Sequence, residues 1–200
     1  MNALALVIWV SAFSSFGWGM LRFFRKPSGL TWQTALVAVL GLVFGGWHFV
    51  AIATSRVGPL PMFVGIALLF TAVALFLSAV RACESRRLTA IFESDVPLYV
   101  VRRGPYRYVR HPFYASYTIF WFAGWIASGS MLALISAGIM LAIYLDAVRK
   151  EERKFAASPL AAEYAEYRRH AGLMIPKLQR TSDGGPWADA AEAEASPTGR

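Results

Sequence analysis

Residues 112–145, "PFYASYTIFWFAGWIASGSMLALISAGIMLAIYL", contain two charge-free apolar runs that only two residues separate. The runs cover 113–128 and 131–145, and past one aspartate the second can extend to 148. Both are short for membrane spans, which need about 20 apolar residues and tolerate about 17. Because Gly129 and Ser130 leave room only for a tight turn, the runs are predicted to form an antiparallel helical hairpin.

Three longer apolar runs precede this hairpin, at 3–21, 32–54 and 61–80. The chain has 200 residues, of which 56% are hydrophobic and only 16% charged, a composition too apolar for an ordinary soluble surface. The sequence therefore predicts an all-α integral membrane protein with about five transmembrane helices. The first run lacks a basic start and is interpreted as a mature helix rather than a signal peptide. One domain is expected over 1–180, followed by a disordered, small and polar tail over 181–200.

The net charge of +8 comes from basic residues that lie in blocks beside the apolar runs. Seven arginines fall between Arg81 and Arg110, whereas none lies between the fourth and fifth runs. By the positive-inside rule, this alternation places the amino terminus outside and the 81–111 connection and the carboxyl terminus in the cytoplasm. Blocks of this kind favour anionic lipid headgroups over nucleic acid, so no nucleic-acid partner is expected.

Metal chemistry is not indicated by the sequence. Cys83 is the single cysteine, and no cluster of cysteine and histidine has metal-ligand spacing. Cys83 is interpreted as a small packing residue, and His48 as a helix-packing histidine. No metal is therefore expected in the predicted site.

The predicted hairpin brings the start of the fourth run beside the end of the fifth, on the cytoplasmic side. The residues expected to meet there are His111, Pro112 and Tyr114 on one side and Arg149, Glu151 and Glu152 on the other. A helix that begins at Pro112 has first-turn N–H groups without intrahelical partners and a partial positive charge, which together suit an anion. Arg110 and His111 directly precede it.

The side chains around this helix start suit a small molecule with several kinds of charge. The two glutamates offer acceptors for hydroxyl or amino groups, and aromatic rings can enclose an adenine and attract a sulfonium. The candidate aromatic walls are Tyr99, Tyr106, Tyr108 and Tyr114. In the alternative interpretation, the arginines are membrane anchors, the tyrosines form an interfacial belt and the glutamates pair with nearby cations.

A short amphipathic helix is predicted after the fifth span. Ser158 and Pro159 are typical of a helix start, and Gly172 is typical of a helix end. Its apolar face would carry Leu160, Tyr164, Tyr167 and Ala171. Such a helix could lie on the membrane or close over the site.

Three segments in this order resemble a known family: "GPYRYVRHPFY" (104–114), "EERKF" (151–155) and "EYAEYRRHAGLMIP" (163–176). They are similar to the isoprenylcysteine carboxyl methyltransferases and their relatives among the phospholipid N-methyltransferases. The resemblance covers residues 96–178. One departure is that Ala115 and Ser116 follow Tyr114, where the family usually has a glycine two residues after that tyrosine.

The resemblance implies an integral-membrane methyltransferase that uses S-adenosyl-L-methionine in a cytoplasmic pocket. The cofactor contacts that it implies are Leu98, Tyr99, Val100, Val101, Tyr106, His111, Pro112, Phe113, Tyr114 and either Glu151 or Glu152. Arg110 and Arg149 are the candidates for orienting an anionic substrate or the cofactor carboxylate.

Three functions follow as hypotheses. The first is methyl transfer to a lipophilic small molecule or prenylated substrate, most like isoprenylcysteine carboxyl O-methylation. The second is methylation of a phospholipid or of another lipophilic amine, phenol or thiol. The third is a non-enzymatic membrane protein whose basic loops bind anionic membrane lipid or a partner subunit.

Overall fold

The computed structural model describes residues 1–23, 32–84 and 99–177, and the regular structure of these residues is helical. The helices are α1 (Asn2–Phe23), α2 (Trp32–Ala53), α3 (Pro59–Glu84), a 3-10 turn η1 (Gly104–Arg107), α4 (Pro112–Ser128), α5 (Met131–Ala156) and α6 (Ala161–His170). This confirms the predicted all-α class. The predicted tail at 181–200 lies outside the described residues, as do residues 85–98 of the long connection.

Helix α4 lies at the centre of the bundle. It packs most extensively on α3 and also contacts α1, α2 and α5. Its Phe120 stacks on Trp9 of α1 with ring centroids 4.0 Å apart. A Cβ atom on Gly65 of α3 would lie only 2.7 Å from the Cβ of Ala127, so the missing side chain lets α3 and α4 approach closely.

Among the described residues, four helices are long and apolar enough to cross a membrane, over Asn2–Gly19, Ala35–Ala53, Pro59–Cys83 and Met131–Ala156. Helix α4 has 17 residues, at the lower limit for a span, and ten of these are buried. Length and composition therefore support four spans, and the fifth predicted span stays a prediction.

The turn between α4 and α5 has the predicted tight geometry. Gly129 adopts the left-handed conformation, with φ 66°, and donates its N–H to Trp125 O. Ser130 caps α5, because its side chain accepts a hydrogen bond from the N–H of Ala133. The two helices consequently run antiparallel, as the sequence predicted.

Several helix ends differ from the prediction. Helix α5 continues to Ala156 rather than ending at 148, because its charged segment consists of good helix formers and includes an Asp146–Lys150 ion pair at 2.6 Å. Helix α3 begins at Pro59, not at Pro61. Helix α6 begins at Ala161, because Ser158 and Pro159 form the preceding turn.

The two ends of the bundle have different contents. At one end, Asn2 of α1 donates from its side chain to the carbonyls of Ala53 and Ser55, and the Ser55 hydroxyl donates to Ala127 O. The start of α1 therefore lies beside the ends of α2 and α4. The opposite end holds the start of α4, the end of α5 and the whole of α6.

Candidate active site

A pocket opens at the end of the bundle where α4 begins. It contains about 740 Å³ of empty space, a figure that includes open solvent at its mouth. Its lining comprises Tyr99, Val100, Val101, Tyr106, Arg110, His111, Pro112, Phe113, Tyr114, Tyr117, Glu151, Phe155, Tyr164 and Tyr167. Most of the residues that the sequence singled out thus share one cavity.

The acidic pair of α5 meets the start of α4, as the hairpin predicted. The Tyr114 hydroxyl donates to Glu151 Oε1 at 2.5 Å, and Arg110 Nε donates to Glu152 Oε1 at 2.8 Å. His111 lies between the two carboxylates: its Nδ1 is 3.4 Å from Glu151 Oε2, and its Nε2 is 3.4 Å from Glu152 Oε1. Residues nearly 40 positions apart in the chain therefore form one charged cluster.

His111 is nearly buried, and the two carboxylates determine its charge. Burial lowers the pKa of His111, but the nearby carboxylates of Glu151 and Glu152 favour its charged form and outweigh burial, so the pKa is raised from 6.5. Within the described residues, its Nε2 has no partner in hydrogen-bond geometry. At neutral pH the imidazole therefore carries a larger positive fraction than a free histidine.

The two glutamates differ in what they contact. Glu151 lines the pocket, and its side chain is 37% exposed. Glu152 is outside the lining and 16% exposed, and it also accepts from the Tyr164 hydroxyl at 3.2 Å. Glu151 is consequently the glutamate of the pair that a ligand in this pocket can reach.

The two candidate arginines occupy unlike positions. Arg110 lines the pocket, but its guanidinium is bound internally, to Glu152 and, through Nη1, to Ala171 O at 2.6 Å. Arg149 is exposed and does not contribute to the pocket lining. Val148 faces the core, and the next residue of a helix points about 100° away from it. The structure therefore does not bring Arg149 into this pocket.

Helix α6 closes over the pocket rather than lying apart from it. Tyr164 stacks on Phe155 with ring centroids 4.2 Å apart, and the Tyr167 hydroxyl donates to Tyr106 O at 2.7 Å. Both tyrosines are buried, and burial raises the pKa of each phenol, so both are neutral. Two residues of the predicted amphipathic helix, Tyr164 and Tyr167, thus line the pocket.

The segment after α6 pairs with the segment before α4. Gly172 donates its N–H to Tyr108 O at 2.9 Å and accepts from the N–H of Arg110 at 2.8 Å. His111 N–H donates to Leu173 O at 3.0 Å. Gly172, the predicted helix stop, therefore also holds the backbone of residues 108–111, which carries Arg110 and His111.

Three positions show where sequence reasoning fell short. Tyr108, a candidate aromatic wall, is 58% exposed and outside the lining. Tyr117 and Phe155 line the pocket but were not predicted. A helical count from Tyr114 and Glu151 would have found them, because residues three and four apart share a helix face. Leu98 lies outside the described residues.

A family model described as phospholipid methyltransferase matches residues 60–161. The chain belongs to the phospholipid methyltransferase family. No curated protein and no solved structure matches it.

Members of this family are methyltransferases of membranes, and with four apolar helices the match indicates an integral membrane protein. The matched region extends from the start of α3 to the first residue of α6 and includes the whole hairpin. It therefore begins earlier than the resemblance seen in the motifs and takes in the third predicted span. The match does not distinguish isoprenylcysteine from phospholipid acceptors.

Proposed function

We propose that this protein transfers a methyl group from S-adenosylmethionine to a lipophilic acceptor at the membrane surface. The observation that carries the proposal is the meeting of the α4 start and Glu151 in one aromatic-lined pocket of a chain of this family. When bound, S-adenosylmethionine supplies the activated methyl group.

The chemistry of the lining fits this cofactor. Tyrosine faces attract a cation such as a sulfonium, and Glu151 accepts hydrogen bonds from amino or hydroxyl groups. The start of α4 suits a carboxylate, because its first N–H groups and its dipole favour negative charge. The residues that would hold the cofactor are Tyr99, Val100, Val101, Tyr106, His111, Pro112, Phe113, Tyr114 and Glu151.

The cofactor's carboxylate is not expected to rely on a free guanidinium. Arg110 already pairs with Glu152, so we assign it the structural role of joining the segment before α4 to α5 and to the end of α6. His111, with its raised pKa, supplies positive charge beside the α4 start. The negative charges of Glu151 and Glu152 partly balance the positive charge of His111. A site with charges of both signs suits a ligand that carries both a positive and a negative group.

The protein's main tasks in methyl transfer are alignment and the exclusion of water. An ionised carboxylate attacks without a base, whereas an amine must lose a proton. Glu151 is the carboxylate of the pocket that could accept such a proton, directly or through Tyr114. The order of the three segments 104–114, 151–155 and 163–176, which resembles the isoprenylcysteine carboxyl methyltransferases, favours carboxyl O-methylation, and amine methylation of a phospholipid is the alternative.

We place the pocket on the cytoplasmic face. Arginines at 102, 103, 107 and 110 lie at this end of the bundle, whereas Asn2 lies at the other. The positive-inside rule then puts the amino terminus outside. Tags at the two termini, probed in sealed vesicles, test this, and an amino terminus on the cytoplasmic side would contradict it.

Binding of S-adenosylmethionine to the detergent-purified protein tests the proposal first. Glu151→Gln removes the charge but keeps the shape, and Arg153→Gln on the exposed side of the same helix is the matched control. Hydrogen bonds to charged groups contribute about 1.5–3 kcal/mol, so a roughly 10- to 100-fold weaker Kd is expected for Glu151→Gln alone. Absent saturable binding to the wild type, or equal Kd values for all three proteins, would refute the assigned pocket.

Transfer of labelled methyl groups identifies the acceptor. Wild-type protein is incubated with labelled S-adenosylmethionine and either N-acetyl-farnesylcysteine or phosphatidylethanolamine in mixed micelles. Base-labile label on the carboxylate of N-acetyl-farnesylcysteine is the result expected for carboxyl methylation. Stable label on the phospholipid amine would instead support the alternative.

A further inference from the structure

Tyr117 lies on the side of the pocket that faces the interior of the helix bundle. It follows Tyr114 by three residues on α4, which places it about 4.5 Å further along the helix, away from the α4 start. Its ring contacts one aromatic ring from each of three other helices: Phe16 of α1 at 5.2 Å, Phe76 of α3 at 6.0 Å and Tyr144 of α5 at 5.7 Å. The pocket thus reaches the apolar interior of the bundle at this residue.

The hydroxyl of Tyr117 differs from those of four other pocket tyrosines. Tyr114 donates to Glu151, Tyr164 to Glu152 and Tyr167 to a backbone carbonyl, and Tyr106 accepts from the Cys83 thiol. The Tyr117 hydroxyl has no hydrogen bond to the described residues, and because it is not one of their fully buried polar atoms, it can be reached from the pocket.

A phenol in apolar surroundings normally has a hydrogen-bond partner, because leaving it without one is unfavourable. The neighbouring Tyr144 hydroxyl already accepts from Trp121 Nε1 at 3.0 Å. A partner for Tyr117 is therefore expected from a molecule that enters the pocket.

Resting on the proposed function, we propose that Tyr117 is a positioning residue for the methyl acceptor. Its hydroxyl hydrogen-bonds the polar head of the lipophilic acceptor next to the atom that is methylated. The groups that suit the cofactor, at the α4 start and Glu151, lie towards the other side of the pocket. A lipid entering from the bilayer meets Tyr117, whose phenol can both donate to a carboxylate or phosphate and accept from an amine.

Tyr117→Phe tests this role, because it removes the hydroxyl and keeps the ring. Tyr108→Phe is the matched control, since Tyr108 is exposed and outside the pocket lining. For each protein three quantities are measured: the Kd of S-adenosylmethionine, the melting temperature in detergent, and kcat/KM for labelled-methyl transfer. The acceptors are N-acetyl-farnesylcysteine and phosphatidylethanolamine in mixed micelles, together with a total lipid extract.

The expected result is a roughly 10- to 100-fold lower kcat/KM for Tyr117→Phe, with Kd and melting temperature unchanged. Tyr108→Phe should match the wild type in all three measurements. Unchanged transfer by Tyr117→Phe would overturn the inference, and so would a Kd that weakens in parallel with transfer, because the hydroxyl would then serve the cofactor. A wild type that neither binds S-adenosylmethionine nor transfers methyl groups would overturn the proposed function itself.

Discussion

Removing either member of the Arg110–Glu152 pair should release α6 from the pocket. The two side chains are 8% and 16% exposed and are joined at 2.8 Å. Arg110 also donates to Ala171 O at the end of α6, and Glu152 accepts from Tyr164 within α6. The pair therefore joins the segment before α4 and the charged end of α5 to the helix that covers the pocket.

The magnitude follows from burial. Breaking a fully buried ion pair costs about 3–5 kcal/mol, because the remaining charge is left without compensation. Partial exposure of Glu152 and its contact with Arg168 at 3.7 Å reduce this, so about 2–4 kcal/mol is expected for Arg110→Ala or Glu152→Ala. At roughly 2–4 °C per kcal/mol for a chain of this size, each variant should melt roughly 4–16 °C lower.

Cys83 provides the assay. It is the single cysteine of the chain and only 1% exposed, and its thiol donates to the Tyr106 hydroxyl beneath α6. A maleimide dye that fluoresces on reaction with a thiol therefore reports when this end of the bundle opens during heating. Arg153→Ala, on the exposed side of α5, is the control and should melt like the wild type.

The double variant decides whether the pair acts as a unit. Residues in direct contact show coupling energies of about 0.5–3 kcal/mol, so Arg110→Ala with Glu152→Ala should lower the melting temperature by less than the sum of the single effects. Strictly additive effects would refute the assignment of this pair as the contact that holds α6 in place, and so would single variants with the same melting temperature as the control.

Three further outcomes are expected. Because the pKa of His111 is raised in the folded state, the stability that its charge contributes is complete below about pH 6.5 and is lost as pH rises through the folded-state pKa. The melting temperature of His111→Gln should therefore depend less on pH above about pH 6.5 than that of the wild type. Tyr167→Phe removes the 2.7 Å hydrogen bond to Tyr106 O and should cost about 0.5–1.5 kcal/mol in thermal melts. Gly65→Val forces a side chain against Ala127 and should cost about 1–3 kcal/mol or more, measured in the same way.

Each of these outcomes has a clear opposite. A melting profile of His111→Gln parallel to that of the wild type from pH 6 to 9 would contradict the charged cluster. Tyr167→Phe that melts like Tyr108→Phe would show that the hydroxyl of Tyr167 adds nothing to the closure of α6. Normal stability of Gly65→Val would mean that α3 and α4 are less closely packed than described.

The sequence was most informative where local chemistry dictates geometry. A two-residue connection with Gly129 at its αL position permits one arrangement of two helices, so the meeting of His111 with Glu151 could be predicted without tertiary information. Pro112 at the first position of α4 was equally decisive, because proline fits the start of a helix and not its interior. These two signals placed most of the pocket.

Sequence reasoning failed where helical phase mattered. The prediction ended the fifth helix near 148, and without a continuous helix the directions of the residues beyond that point cannot be assigned. Once α5 continues to Ala156, Val148 and Phe155 fix its inner side and Arg149 points outward. Tyr117 required the same attention to helical phase, because it follows Tyr114 by three residues and therefore shares its face of α4.

The division of work between the two glutamates follows from the same helical geometry. Consecutive residues on a helix point about 100° apart, so Glu151 and Glu152 cannot both face one ligand in the same way. One carboxylate is turned towards the pocket, and the other towards Arg110 and α6. His111 lies within 3.4 Å of both, so a change of charge in the pocket alters the electrostatic interaction of His111 with the Arg110–Glu152 pair. A ligand that contacts Glu151 therefore acts on the same charged cluster that holds α6 over it, and ligand binding should raise the temperature at which Cys83 becomes reactive.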